Sequence, residues 1–99
     1  MQYDLVISAT AFMETDNAYT YYEDQSEGLG DRFLKSLEEA YQKLSRTPQY
    51  YSYINSKKNL RDMKIKDFPF VIIFQIVKDK VLVLRVFNTN RDPRSIKNL

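Results

Sequence analysis

Hydrophobic and polar positions along the chain change period twice. Tyr3 to Ser8 (Tyr-Asp-Leu-Val-Ile-Ser) is rich in apolar and β-branched residues and predicts a short strand. Ala11, Thr15, Ala18 and Tyr22 then fall at helical spacing. Their small side chains suit close packing against a neighbour. Ser8 or Thr10 is placed to cap this helix, and Gly28 and Gly30 mark its expected end. Phe33, Leu34, Leu37, Ala40, Tyr41 and Leu44 form a broad apolar stripe and predict a second helix. Asp31 stands near its start, Lys43 and Arg46 near its end, and Pro48 forces the stop. The short link predicts an antiparallel helical hairpin.

From Leu60 onward the period becomes two. Arg61, Met63 and Ile65 share one face, while Leu60, Asp62, Lys64 and Lys66 share the other. Phe70 to Val77 is apolar on both faces, as a central strand would be. Lys78-Asp79-Lys80 predicts a tight turn, and Val81 to Phe87 returns antiparallel. Residues 48–59 read as a loop carrying Tyr50, Tyr51, Tyr53 and Ile54, and Asn88 to Leu99 as a polar, basic, irregular tail. The loop tyrosines suit either stacking on bases or, as favoured here, packing over a core edge with their hydroxyls in water. The expected fold class is therefore α+β. Its order is β-α-α-β-β-β, with a helical hairpin on one face of a four-stranded, largely antiparallel sheet. The other face stays at least partly open. Residues 1–99 read as a single domain without repeats or a linker.

Composition narrows the chemistry. The chain has no cysteine and no histidine, which removes disulfides, thiolate metal sites and the commonest general base. Two glycines cannot build a phosphate loop. The longest apolar stretch, Phe68 to Val77, is too short to span a bilayer. With no signal peptide visible, a cytoplasmic protein without membrane partners is expected. Charge is divided unevenly. Residues 1–50 carry 4 basic and 9 acidic side chains, net −5; residues 51–99 carry 11 and 4, net +7. Such asymmetry fits a basic face toward an anionic partner, and equally a dipolar domain with solvated lysines.

Arg85 interrupts an apolar strand, and plain alternation puts it on the face of Val81, Val83 and Phe87. Arg61 poses the same question beside Met63 and Ile65. A buried guanidinium needs a partner. Either each pairs with an acid such as Asp62, Asp67 or Asp92, or the two converge on an anion-binding cleft. Convergence is the expectation favoured by two such arginines within the basic half. Lys57, Lys58, Lys64, Lys66, Arg91, Arg94 and Lys97 would add affinity for a phosphate backbone.

Certain ordered segments resemble the RelE/ParE superfamily of toxins, a group including plasmid stabilisation proteins. They are Tyr21-Tyr22-Glu23, Gly28-Leu29-Gly30 leading into Phe33-Leu34, and Leu44-Ser45-Arg46-Thr47-Pro48. Arg61 ahead of Phe68-Pro69-Phe70-Val71-Ile72-Ile73-Phe74, and Leu84-Arg85-Val86-Phe87-Asn88-Thr89-Asn90-Arg91-Asp92-Pro93, complete the set. The resemblance covers roughly residues 3–94. It implies a helical hairpin on a curved sheet and a cognate, usually acidic, antitoxin wrapped around the toxin, in a hetero-oligomer or beside a homodimer. RelE-like members cut mRNA on the ribosome without a metal or cofactor; ParE-like members poison DNA gyrase. On the nuclease reading Arg61, Arg85 and Lys58 would be catalytic, and Lys57, Lys64, Asn88 and Arg91 would hold RNA. The family's frequent histidine is Asn88 here, and the last tyrosine is Tyr53. An exposed lysine titrates near 10.4, too high for an efficient base at neutral pH, so the endoribonuclease is handicapped. A degenerate, non-toxic member and a plain nucleic-acid-binding α+β module are the remaining alternatives.

Overall fold

The computed structural model describes residues 2–91. Strand β1 (Asp4–Ile7) leads into helix α1 (Ala9–Gln25) and helix α2 (Leu29–Arg46). A single 3-10 turn (Pro48–Tyr50) follows, then β2 (Tyr53–Asn55), β3 (Leu60–Lys64), β4 (Phe70–Val77) and β5 (Lys80–Asn88). The architecture is α+β, as expected. It has five strands rather than four, because part of the tyrosine-rich loop pairs with β3 as the short edge strand β2. All three residues of β2 are exposed, so no alternation marked it in the sequence.

The strands lie in the order β1-β5-β4-β3-β2. β1 runs parallel to β5, and every other pairing is antiparallel. β4 and β5 are joined through Lys78 and Asp79, with Lys78 in the left-handed region at φ 58°. Both helices pack on one face. There Phe33, Leu37, Ala40 and Leu44 of α2 meet Ala11 and Ala18 of α1 and Met63, Ile72, Phe74, Val81, Val83 and Val86 of the sheet. The face away from the helices is not bare. Leu60, Val71, Ile73 and Phe87 form a second cluster there, with Ile73 fully buried.

Ser8 caps α1 as its side chain accepts from Ala11 N–H at 3.0 Å. The same hydroxyl donates to the Leu84 carbonyl at 2.8 Å, tying the start of α1 to β5. The two glycines start α2 rather than end α1. Gly28 is its N-cap, at φ 85°, and Gly30 lies inside its first turn. Gly30 N–H donates to Glu23 at 2.9 Å, and a Cβ at Gly30 would lie 2.6 Å from Glu23 Cγ and 2.7 Å from the Tyr19 ring. The hairpin closes because that side chain is missing.

Two outcomes follow from the packing. Gly30→Ala must push Tyr19 and Glu23 aside, so chemical denaturation should show a loss of roughly 1–3 kcal/mol. Tyr41 in α2 buries its hydroxyl without a hydrogen-bond partner, and burial pushes its pKa up to about 12. The unfolded chain ionises this phenol near 10, so unfolding gains from ionisation between pH 10 and 12. The stability tied to Tyr41 is whole below pH 10 and falls by about 2–3 kcal/mol as pH approaches 12. In Tyr41→Phe that part of the alkaline loss should vanish from the pH dependence of unfolding.

Candidate interaction groove

Strand β5 carries one residue more than β4 can pair. Ile73 faces Arg85 and Phe74 faces Val83, which leaves Leu84 as a bulge. The extra residue reverses the alternation. Val81 and Val83 point to the helices, Arg85 and Phe87 belong to the opposite face, and Val86 returns to the helix side. The expectation that Arg85 shares a face with Val81 and Val83 is therefore corrected, and so is its consequence. Arg61 faces Phe74, on the helix side. The two arginines start from opposite faces of the sheet and do not share a cleft.

Each arginine is engaged within the chain. Arg61 Nη1 donates to the carbonyls of Tyr51 at 2.6 Å and Gln49 at 3.2 Å, and its guanidinium lies 4.0 Å over the Tyr53 ring. It clamps the chain leaving α2 against the sheet edge. Arg85 leans out over the edge of β5 beyond the end of β1, where β1's pairing stops at Val83. There Nε donates to both Glu14 oxygens at 3.0 Å, and Nη2 to Oε2 at 2.6 Å. Its partner is thus Glu14 of α1, not Asp62 or Asp67; Asp92 lies outside the described residues. The hydrogen bonds to Glu14 raise the Arg85 pKa above its usual value, against the opposing effect of burial. Glu14 Oε1 also accepts from Val86 N–H at 3.0 Å.

The other candidate residues are dispersed. Lys57 and Lys58 lie in the β2–β3 turn, where Gln75 donates to the Lys58 carbonyl at 3.0 Å. Lys64 is exposed and faces Val71, on the side without helices. Asn88 and Arg91 do gather with Arg85. They line a groove of about 770 Å³ between α1 and the far half of β5. Met13 and Tyr21, each more than half exposed, form its α1 wall. Tyr22 and Phe70 line it too, and both belong to a ring cluster in which Tyr22 lies 5.5 Å from Phe33 and 4.9 Å from Phe68. Glu14, Met13 and Tyr21 were missed from the sequence as site residues. The signal available was Met13, Asn17 and Tyr21 at i, i+4 and i+8, one face of α1. Of the loop tyrosines, Tyr51 packs against the core beside Phe74, while Tyr50 is exposed.

A mixed apolar and cationic groove thus runs along one strand edge of a helical hairpin packed on a sheet. Comparison with known proteins gives the family. The model of the ParE toxin of the type II toxin–antitoxin system parDE matches residues 5–93, and the chain belongs to that family. The fold is also similar to that of a chain from a solved structure titled "Chromosomal ParDE TA system from P. aeruginosa". Its TM-score is 0.77 at 15% identity, over 88% of this chain and 96% of that one. No curated protein matches the sequence. Among the described residues, no helix is long and apolar enough to cross a membrane.

If Arg61 is a clamp, its removal is a folding defect. Arg61→Ala should lower stability by roughly 1–3 kcal/mol in urea denaturation, because two carbonyls lose their donor. Arg61→Lys should recover only part of it, since one ammonium cannot reproduce the planar fork and the stacking.

Proposed function

We propose that this toxin acts by binding rather than by cutting RNA, poisoning DNA gyrase through surface complementarity, and that a cognate antitoxin neutralises it. The observation that carries the reading is the engagement of both arginines. Metal-free RNA cleavage needs cations converging on one phosphate, with a base and an acid beside them. Arg61 and Arg85 instead start from opposite faces, one on backbone carbonyls and the other on Glu14. Lys57 and Lys58 lie in a turn between β2 and β3, away from the groove lining. The absence of histidine points the same way. Membership of the ParE family supports the gyrase target over the ribosome, since the resemblance assigns gyrase poisoning to ParE-like members.

Induction of the chain alone in a bacterial host should arrest growth, with DNA breaks and a damage response, while mRNA stays intact. Cut transcripts over intact DNA would return the reading to a ribosome-dependent endoribonuclease. Unaffected growth would identify a member that has lost toxicity.

A further inference from the structure

We infer that the edge strand β2 and the turn before it form a binding surface for an unpaired DNA strand, with Tyr50 and Tyr53 as the rings on which its bases stack. The choice of DNA over RNA rests on the reading of DNA gyrase as the target.

Of the three tyrosines between Pro48 and Asn55, only Tyr51 packs against the core. Tyr50 is 82% exposed and Tyr53 48%. Neither ring hangs loose. Tyr50 meets Tyr51 edge-on at 5.3 Å, and Tyr51 meets the buried Phe74 at 6.3 Å. Tyr53 has the Arg61 guanidinium 4.0 Å over its ring, and Arg61 is itself fastened to the Tyr51 and Gln49 carbonyls. Two large rings are thus held in place and left in water, with little rotamer freedom still to lose on binding. At most roughly 11 Å of chain separates their Cα atoms, so one short strand reaches both.

Charge selects the occupant. Residues 40–61 hold Lys43, Arg46, Lys57, Lys58 and Arg61 and no acid. Lys43 and Arg46 stand in the last turn of α2, and Lys57 and Lys58 in the turn after β2; all four are exposed. Cations therefore flank the tyrosines on both sides along the chain. A second copy of this chain would bring like charges together. A peptide strand would have to pair with β2, whose outer edge is met by no other strand among the described residues. That strand is three residues long and its register with β3 already shifts, so the ladder it offers is short. Phosphates for the cations and bases for the rings answer both features at once. A duplex hides the faces of its bases, so the strand is unpaired.

Fluorescence anisotropy of a labelled oligothymidylate of about 12 nucleotides tests the surface on the purified chain. Tyr50→Ala and Tyr53→Ala should each weaken binding roughly 5- to 100-fold, and Tyr50→Phe by less than about twofold. The double variant Lys57→Gln/Lys58→Gln should flatten the slope of log affinity against log salt by about 1.4. The ring resonances of Tyr50 and Tyr53 should move upfield as the oligomer is added. Polyglutamate of the same length, and the duplex of the oligomer with oligoadenylate, should bind at least ~10-fold more weakly. Tyr53→Ala takes away the ring under Arg61 and can unsettle the fold; Tyr50→Ala, at the more exposed position, then carries the test by itself.

No binding, or binding that Tyr50→Ala leaves unchanged, would overturn the inference. So would polyglutamate or the duplex bound as tightly as the single strand, or an oligouridylate of the same length bound more tightly than oligothymidylate. Equal affinity for the two sugars sustains it, because stacking uses only the base. Gyrase is absent from these measurements, so the two readings fail separately. Lack of binding in a chain that still breaks DNA in cells removes only this surface. Sound binding in a chain without effect on growth removes only the gyrase reading.

Discussion

The extra residue at Leu84 in β5 governs the arrangement of this protein's charged groups. A strand that alternates without interruption would carry Val81, Val83, Arg85 and Phe87 on one face. Under the helices, that row would bury a guanidinium against the apolar side chains of α1 and α2. The bulge resets the phase between Val83 and Val86, so both valines enter the helix-side core. Arg85 is then released to the sheet edge and Phe87 to the second cluster. One unpaired residue thus separates packing from charge on a single strand.

That separation shapes α1 as well. Ser8 ends β1, caps the helix and holds the bulge carbonyl. Six residues further on, Glu14 reaches the next free donor of β5. The first turns of α1 are therefore pinned to the sheet edge by polar contacts, whereas α2 is held by its apolar stripe. This explains why α1 has only Ala11 and Ala18 fully enclosed and leaves Phe12, Met13 and Tyr21 exposed. A helix fixed by two hydrogen-bonding side chains can present apolar residues outward, and two of them, Met13 and Tyr21, wall the groove.

Arg61 illustrates the opposite use of the same residue type. On the far side of β4 it meets carbonyls and an aromatic ring rather than an acid. Its charge serves to fasten the segment after α2, which has little apolar content facing the core beyond Pro48 and Tyr51. Two arginines that look alike in the sequence therefore have different work. One is a brace for the chain, and the other is paired with Glu14 at the edge of the groove beside α1.

Periodicity alone was enough for both helices, the three long strands, the apolar stripe of α2 and the packing faces of β3, because each depends on neighbours along the chain. The ordered set of segments also sufficed for the family. Strand β2 was not legible, since three exposed residues leave no alternation to read. The grouping of the arginines was not legible either. Their separation depends on which residue of β5 lacks a partner in β4, and pairing between strands decides that. Nor could the sequence assign Glu14 to Arg85 across 71 residues. Acids and bases are plentiful on this surface, and only the docking of α1 against β5 selects that pair.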